Sequence, residues 1–71
     1  MQYKAGDKVQ LISGGPEMTV KGVLGTDELT KMENFALRNS GGSDGDVYCQ
    51  WFNGTKLEGG VFKPKMLKKL E

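Results

Sequence analysis

Glycine clusters divide this chain into short apolar stretches, and this pattern constrains the fold more than any other feature. Eleven of the 71 residues are Gly, and alternating apolar and polar residues fill the stretches between the clusters. Such alternation is typical of half-buried strands, and Gly clusters are typical of tight turns. A chain of this length removes only about 60% of its unfolded surface on folding. The pattern therefore predicts one small, mainly β domain with a thin stability margin.

Composition excludes several classes of function. Ten Lys and Arg residues against nine Asp and Glu give a net charge of +1, which supplies no overall field toward nucleic acid or an anionic membrane. With one Cys and no His, we expect no disulfide, no metal site and no cofactor. The N-terminal residues carry no apolar leader, and no run of about 18 apolar residues is present. We therefore expect a cytoplasmic protein without membrane contact, and give residues 70–71 (LE) little weight because this dipeptide often remains from an expression vector.

Residues 13–16 (SGGP) predict the corner of a first hairpin. The two Gly residues allow positive φ, and the Pro fixes φ at the end of the turn. A four-residue loop at this corner pairs Leu11 with Met18 and Val9 with Val20. All four apolar side chains then share one face, and polar residues alternate onto the other.

The second hairpin contains the only Trp and the only Cys of the chain. Residues 53–54 (NG) are a strong signal for a two-residue turn, but that turn pairs Trp51 with Lys56. A three-residue loop at 52–54 instead pairs Trp51 with Thr55 and gathers the apolar residues of both strands on an inward face. That predicted inward set comprises Val47, Cys49, Trp51, Leu57 and Val61.

The alternative is a two-residue turn corrected by a bulge at residues 59–60. In either register Trp51 points into the core. Cys49 is expected to be a buried, inert thiol, because no His is present to activate it. The alternating residues then face outward. The predicted outward set comprises Tyr48, Gln50, Phe52, Lys56 and Glu58, with Phe62 as an optional member.

Residues 25–46 form an insert that is too long for a bare connection in so small a domain. Asp27 predicts the N-cap of a helix from residue 28 to about residue 37, where apolar residues recur every three to four positions. The competing interpretation is a strand at 34–38. Near the C-terminus, Pro64 suits the first turn of a short helix, which we expect to close one end of the fold with Met66, Leu67 or Leu70.

Two motifs connect the chain with a known family. Residues 13–20 read SGGPEMTV and residues 49–52 read CQWF, and in this order they resemble the YodC-like family of small bacterial proteins. The resemblance spans both hairpins and the C-terminal segment, whereas the insert is longer than the connection typical of that family. It implies a small SH3-like barrel of about five short strands. Because that family is uncharacterised, the resemblance implies no activity, substrate or catalytic residue.

The sequence favours a non-enzymatic module that binds a protein or peptide. No paired acid and base, metal-ligand set or activated nucleophile is evident, whereas the outward set includes aromatic residues typical of binding surfaces. The predicted partner-binding residues are Tyr48, Gln50, Phe52, Lys56, Lys63 and Lys65.

The alternative function is binding of single-stranded nucleic acid. Four Lys residues lie between residues 63 and 69, and a neighbouring ring such as Tyr48 or Phe52 would stack on a base. The lysines that carry this alternative are Lys56, Lys63, Lys65, Lys68 and Lys69. A solvated surface is the simpler explanation for these charges, because the net charge is small. We expect a monomer, while a dimer joined through unpaired strand edges stays open.

Overall fold

A computed structural model describes residues 3–70, so that Glu71 of the suspected vector remnant lies outside the described residues. The elements are β1 (Lys8–Leu11), β2 (Met18–Val23), α1 (Lys31–Asn39), β3 (Val47–Asn53), β4 (Lys56–Phe62), a 3₁₀ turn (Pro64–Met66) and β5 (Leu67–Lys69). All neighbouring strands are antiparallel, in one sheet of order β4-β3-β2-β1-β5. The predictions of a mainly β fold, a helix in the insert and a helical turn near the C-terminus are confirmed. Within residues 3–70, no helix is long and apolar enough to cross a membrane.

The core lies on one side of the sheet, where every strand except β4 contributes a buried side chain. The buried cluster comprises Tyr3, Val9, Met18, Val20, Val47, Cys49 and Leu67. Trp51 and Phe62 are partly buried against this cluster, with ring centroids 6.1 Å apart. Such an aromatic pair stabilises a fold by about 0.5–1.5 kcal/mol beyond the area it buries. The inward orientation predicted for Trp51 is therefore confirmed.

The first hairpin has the predicted faces but a different register. Val9 lies opposite Met18 instead of Val20, a shift of two residues that keeps the same side chains inward because strand side chains alternate with period two. The connection between β1 and β2 covers residues 12–17, so it is longer than the four residues predicted. On its other edge β1 pairs with β5, where Leu11 lies opposite Leu67.

Both registers predicted for the second hairpin are wrong. Trp51 lies opposite Glu58, and the two-residue turn is Gly54–Thr55. Gly54 has φ +68° while Thr55 has negative φ, the sign pattern of a type II′ turn, which favours Gly at its first position. The turn therefore begins at the Gly of the NG pair, one residue later than the NG signal predicts. The ladder runs without interruption between β3 and β4, so the bulge at residues 59–60 is also wrong.

This register exchanges members between the two predicted sets. Leu57 and Val61, which were predicted inward, lie opposite Phe52 and Tyr48 on the other side of the hairpin. Phe62 packs on the core instead of facing outward. Two further members of the predicted outward set, Lys56 and Glu58, lie on the same side of the hairpin as Trp51.

Two adjacent glycines permit close aromatic packing on both sides of this hairpin. A Cβ atom on Gly60 would lie 3.3 Å from Phe62 Cζ and 3.6 Å from Trp51 Cη2. On the opposite side, a Cβ atom on Gly59 would lie 3.2 Å from Tyr48 Oη. The rings therefore cover backbone at positions where a strand would normally carry side chains.

The insert helix begins three residues later than predicted. Thr30 caps it in place of Asp27, because Thr30 and Glu33 form a capping box: Thr30 Oγ1 accepts from Glu33 N at 3.1 Å and Glu33 Oε1 accepts from Thr30 N at 2.9 Å. This reciprocal pair satisfies two backbone donors, whereas a single Asp cap satisfies one. The strand alternative at 34–38 is wrong.

The insert covers part of the sheet on the side away from the core. Leu24 and Leu29 are buried there, and a Cβ atom on Gly22 would come within 2.8 Å of Leu29 Cδ2. Asn34 of α1 accepts a hydrogen bond from Gly25 N at 2.8 Å. The helix therefore contacts the protein through polar side chains, while its apolar Phe35 stays exposed.

Candidate binding face

The outer face of the second hairpin brings together three of the six predicted site residues. We define the outer face as Tyr48, Gln50 and Phe52 of β3 with Leu57, Gly59 and Val61 of β4. These residues form three cross-strand pairs: Tyr48 with Val61, Gln50 with Gly59, and Phe52 with Leu57. The strand register places them on one side of the sheet, opposite the core.

The most exposed part of the outer face is an apolar pair at the tip of the hairpin. Phe52 is 68% exposed and Leu57 is 51% exposed. They lie directly opposite each other, where side chains of adjacent antiparallel strands are close enough to touch. With Gln50 they border a groove of about 390 Å³ whose other wall includes Glu17 and Thr19. An apolar wall beside a polar one is typical of sites that fix both the position and orientation of a ligand.

Tyr48 borders a second groove, of about 480 Å³, on the same side of the sheet. The groove separates the end of α1, at Leu37, from the β4 residues Gly59 and Val61. Tyr48 is partly buried, and its hydroxyl lies over the backbone of Gly59. The ring therefore contributes to the hairpin structure as well as to the groove wall.

Lys63 lines the second groove and forms an ion pair with a buried carboxylate. Its Nζ lies 3.1 Å from Asp46 Oδ1 and 3.3 Å from Oδ2. The Asp46 side chain is only 8% exposed, and it also accepts a hydrogen bond from Ser43 N at 3.0 Å. The pair connects the end of β4 to the end of the insert, so Lys63 has a structural contact besides any partner that it binds.

The other predicted lysines are dispersed. Lys56 Nζ lies 3.9 Å from Glu58 Oε2 at an exposed position, a geometry that contributes little to stability. Lys65 is exposed on the 3₁₀ turn and lines neither groove. Lys69 Nζ lies 3.4 Å from Asp7 Oδ2. The pKa of Asp7 is below its usual value, because Lys4 N–H donates to its carboxylate and Lys69 lies nearby.

Comparison with known families identifies the chain. A family model described as "Uncharacterized small protein (DUF2158)" matches residues 4–67. The chain belongs to this family. The match extends from the segment before β1 into β5, so it includes both hairpins, the insert and the outer face. Comparison with curated proteins and with solved structures found no match.

Membership of the DUF2158 family confirms the resemblance to a small, uncharacterised protein family. The description of the family names no substrate or reaction. Cys49 is the one thiol of the chain; it is fully buried, and burial raises its pKa to about 11. A thiol with so high a pKa is almost entirely protonated near neutral pH and is a poor nucleophile. The prediction of a buried Cys49 is confirmed.

Sequence reasoning missed two members of the outer face, Leu57 and Val61. The three-residue loop predicted at 52–54 turns both side chains inward, whereas an uninterrupted two-residue turn puts them on the outer face. The signal that identifies them is the Gly at position 54 taken as the first turn residue, which alone gives the observed ladder. With that register, the aromatic Phe62 moves inward and two aliphatic side chains move outward.

Proposed function

We propose that this DUF2158 chain is a non-enzymatic binding module that recognises a protein or peptide partner through the outer face. The observation that carries the proposal is the exposed Phe52–Leu57 pair. A domain this small has few large apolar side chains, and leaving these two more than half exposed forgoes roughly half of the ~1.5–3 kcal/mol that full burial of each would contribute. Exposed apolar patches rimmed by polar residues are typical of interaction sites.

The geometry supports separate roles for the site residues. Phe52 and Leu57 would anchor an apolar side chain of the partner at the edge of the smaller groove. Gln50, between the two grooves, would supply an amide donor and acceptor. Lys56 and Lys63 lie at opposite ends of β4, and because each already has a carboxylate within 4 Å, they would contribute only at the periphery of the contact, as would Lys65.

We further infer that the fold is an SH3-like barrel of the YodC-like type. The strand order β4-β3-β2-β1-β5, with a 3₁₀ turn immediately before the last strand, supports this assignment. The SGGPEMTV and CQWF motifs support the narrower family relationship. A reducing cytoplasmic location is also proposed, since the single Cys has no partner for an internal disulfide.

Binding of single-stranded nucleic acid is the competing function, and the positions of the lysines favour it less. Lys56, Lys63 and Lys69 each have a carboxylate within 4 Å. Lys68 and Lys69 are adjacent in β5, so their side chains point to opposite faces of the sheet. A continuous basic track along a strand of nucleic acid needs lysines on one surface.

The decisive experiment uses two phenylalanines of matched exposure. Phe52 on the outer face and Phe35 on α1 are 68% and 67% exposed. We expect Phe52→Ala to abolish binding to peptides selected from a random display library against the wild-type chain, and Phe35→Ala to leave it unchanged. Amide chemical shifts of β3 and β4 should move in the wild type and in Phe35→Ala.

Two results would contradict the proposed function. If the selected peptides shift only amides of the insert, the assigned surface is wrong. If no peptide is selected but mixed oligonucleotides at about 50 mM salt shift amides near the lysines, the competing function is correct, because phosphate contacts are strongest at low salt.

A further inference from the structure

The two edge strands of the sheet differ in how they present their backbone. β5 is an edge strand of three residues that includes Lys68 and Lys69, and short, lysine-rich edges resist pairing with other chains. β4 is the other edge, and it has seven residues with two glycines in the middle. It carries none of these protections along its centre, so its free backbone groups are available for another strand.

Ladder geometry identifies the backbone groups that β4 presents at its free edge. A two-residue turn makes its flanking residues, Asn53 and Lys56, a hydrogen-bonded pair. Hydrogen-bonded and non-hydrogen-bonded pairs alternate along an antiparallel ladder. Leu57, Gly59 and Val61 therefore direct their N–H and C=O groups away from β3, toward the open edge.

We propose that the free edge of β4 binds β4 of a second copy of this chain, antiparallel, about a two-fold axis at Gly59. In this register Leu57 lies opposite Val61 of the second copy, and Gly59 lies opposite Gly59. All of these residues present their backbone groups outward, so each of the three pairs exchanges two hydrogen bonds, about six in total. The contact is self-complementary, as a two-fold interface requires. This proposal replaces the sequence-based expectation of a monomer.

The side chains fit the same register. On the outer face, the pairs Phe52–Leu57 and Val61–Tyr48 come from different copies and join into one continuous apolar row across four strands. On the other side of the sheet, Lys56 lies opposite Phe62 and Glu58 lies opposite Gly60, so no like charges are directly opposed. The two Glu58 carboxylates are diagonal neighbours, but each has Lys56 of its own strand 3.9 Å away.

The dimer extends the binding face, because each copy adds Val61 and Tyr48 beside Phe52 and Leu57 of the other. A partner peptide would then contact residues of both copies. The self-association itself depends only on the β4 edge, so it holds or fails independently of the proposed peptide binding.

Sedimentation and amide exchange test the pairing directly. From about 10 µM to about 1 mM chain, the sedimenting mass should rise from one copy toward two. Over the same range, exchange of the amides of Leu57, Gly59 and Val61 should slow by at least tenfold, whereas the amides of Glu58 and Gly60, already bonded to β3, should change little. A mass of one copy throughout would overturn the proposal, as would dimerisation that protects β5 instead.

A pair of double variants tests the register. Leu57→Lys with Val61→Lys places like charges opposite each other and should leave the chain monomeric. Leu57→Glu with Val61→Lys places opposite charges there and should restore the dimer, with an affinity that falls as salt rises. Both variants change the same two positions, and unchanged protection of the Gly60 amide shows that the hairpin remains folded. If the two variants associate equally, the two-fold axis at Gly59 is wrong.

Discussion

Lys63 Nζ and the Asp46 carboxylate form an ion pair at 3.1 Å that joins the end of β4 to the end of the insert. Asp46 is buried while Lys63 stays half exposed, so the pair lies between the protein interior and water. The Asp46 carboxylate also accepts the backbone N–H of Ser43. This single side chain therefore holds a turn of the insert and the C-terminal end of the second hairpin together.

Replacing Lys63 should lower the free energy of unfolding, because Asp46 is buried. We expect Lys63→Met to lower the free energy of unfolding by about 1–3 kcal/mol, because it leaves a buried carboxylate without its cation. The loss is smaller than the 3–5 kcal/mol typical of a fully buried pair, since water reaches the Lys63 side. Urea denaturation followed by Trp51 fluorescence measures it. Lys65→Met is the matched control and should change stability by less than about 0.5 kcal/mol; equal losses in both variants would show that the ion pair contributes nothing.

Glu33 should make stability dependent on pH in the acid range. Its pKa lies below the ordinary value of 4.5, first because Thr30 N–H donates to the carboxylate and also because Lys21 lies nearby. A carboxylate with a lowered folded-state pKa contributes stability that is complete above its unfolded pKa and is lost as pH falls through the folded pKa. Urea midpoints should therefore decline below pH 4.5, and more steeply in wild type than in Glu33→Gln.

Glu33→Gln is informative because Gln also forms capping boxes. It keeps the hydrogen bond to Thr30 N while removing the titrating charge. The helix should therefore persist at pH 7, and only the acid dependence should weaken. A Glu33 carboxyl that titrates at or above 4.5 in a carbon-13 NMR experiment would contradict the assignment.

The sequence predicted the fold class, because alternation and Gly clusters are local signals that tertiary contacts rarely override. It also located the inward orientation of Cys49 and Trp51, since both lie on one parity of β3. The strand register of the second hairpin was predicted wrongly. The three-residue loop predicted at 52–54 reversed the sides of Leu57 and Val61, and no local pattern separates that loop, or a type I′ turn at NG, from a type II′ turn that begins at Gly.

The way α1 packs on the protein could not be predicted from the sequence either. Periodic apolar residues predicted the helix itself, yet two of them do not pack on the protein: Met32 is 81% exposed and Phe35 is 67% exposed. The helix instead faces the protein through Asn34 and Glu33, which bond backbone groups of the insert. Hydrogen bonds of this kind depend on where the preceding loop passes, and periodicity carries no information about that path.

Close packing between Gly22 and Leu29 should make the insert sensitive to one added methyl group. A Cβ atom on Gly22 would lie 2.8 Å from Leu29 Cδ2, which is closer than van der Waals contact. We expect Gly22→Ala to lower the free energy of unfolding by about 1–3 kcal/mol. Leu29→Ala removes the two colliding Leu29 atoms and leaves only Glu28 Cβ at 3.0 Å, so Gly22→Ala should cost less in that background. A double-mutant cycle by urea denaturation measures the difference, and additive losses would mean that the two residues do not collide.

Burial of Cys49 should make its thiol unreactive while the chain is folded. Because burial raises its pKa to about 11 from the ordinary 9.0, the thiolate fraction at pH 8 falls about 100-fold, and lack of solvent access lowers the rate further. Reaction with an aromatic disulfide reagent should therefore be slow in buffer and fast in urea. As a control, Cys49→Ala combined with Thr55→Cys moves the thiol to the exposed turn and should react rapidly in both. Fast reaction of the wild-type chain in buffer, under conditions where Trp51 fluorescence shows it folded, would mean that Cys49 is accessible and that the core side of β3 opens on the time scale of the reaction.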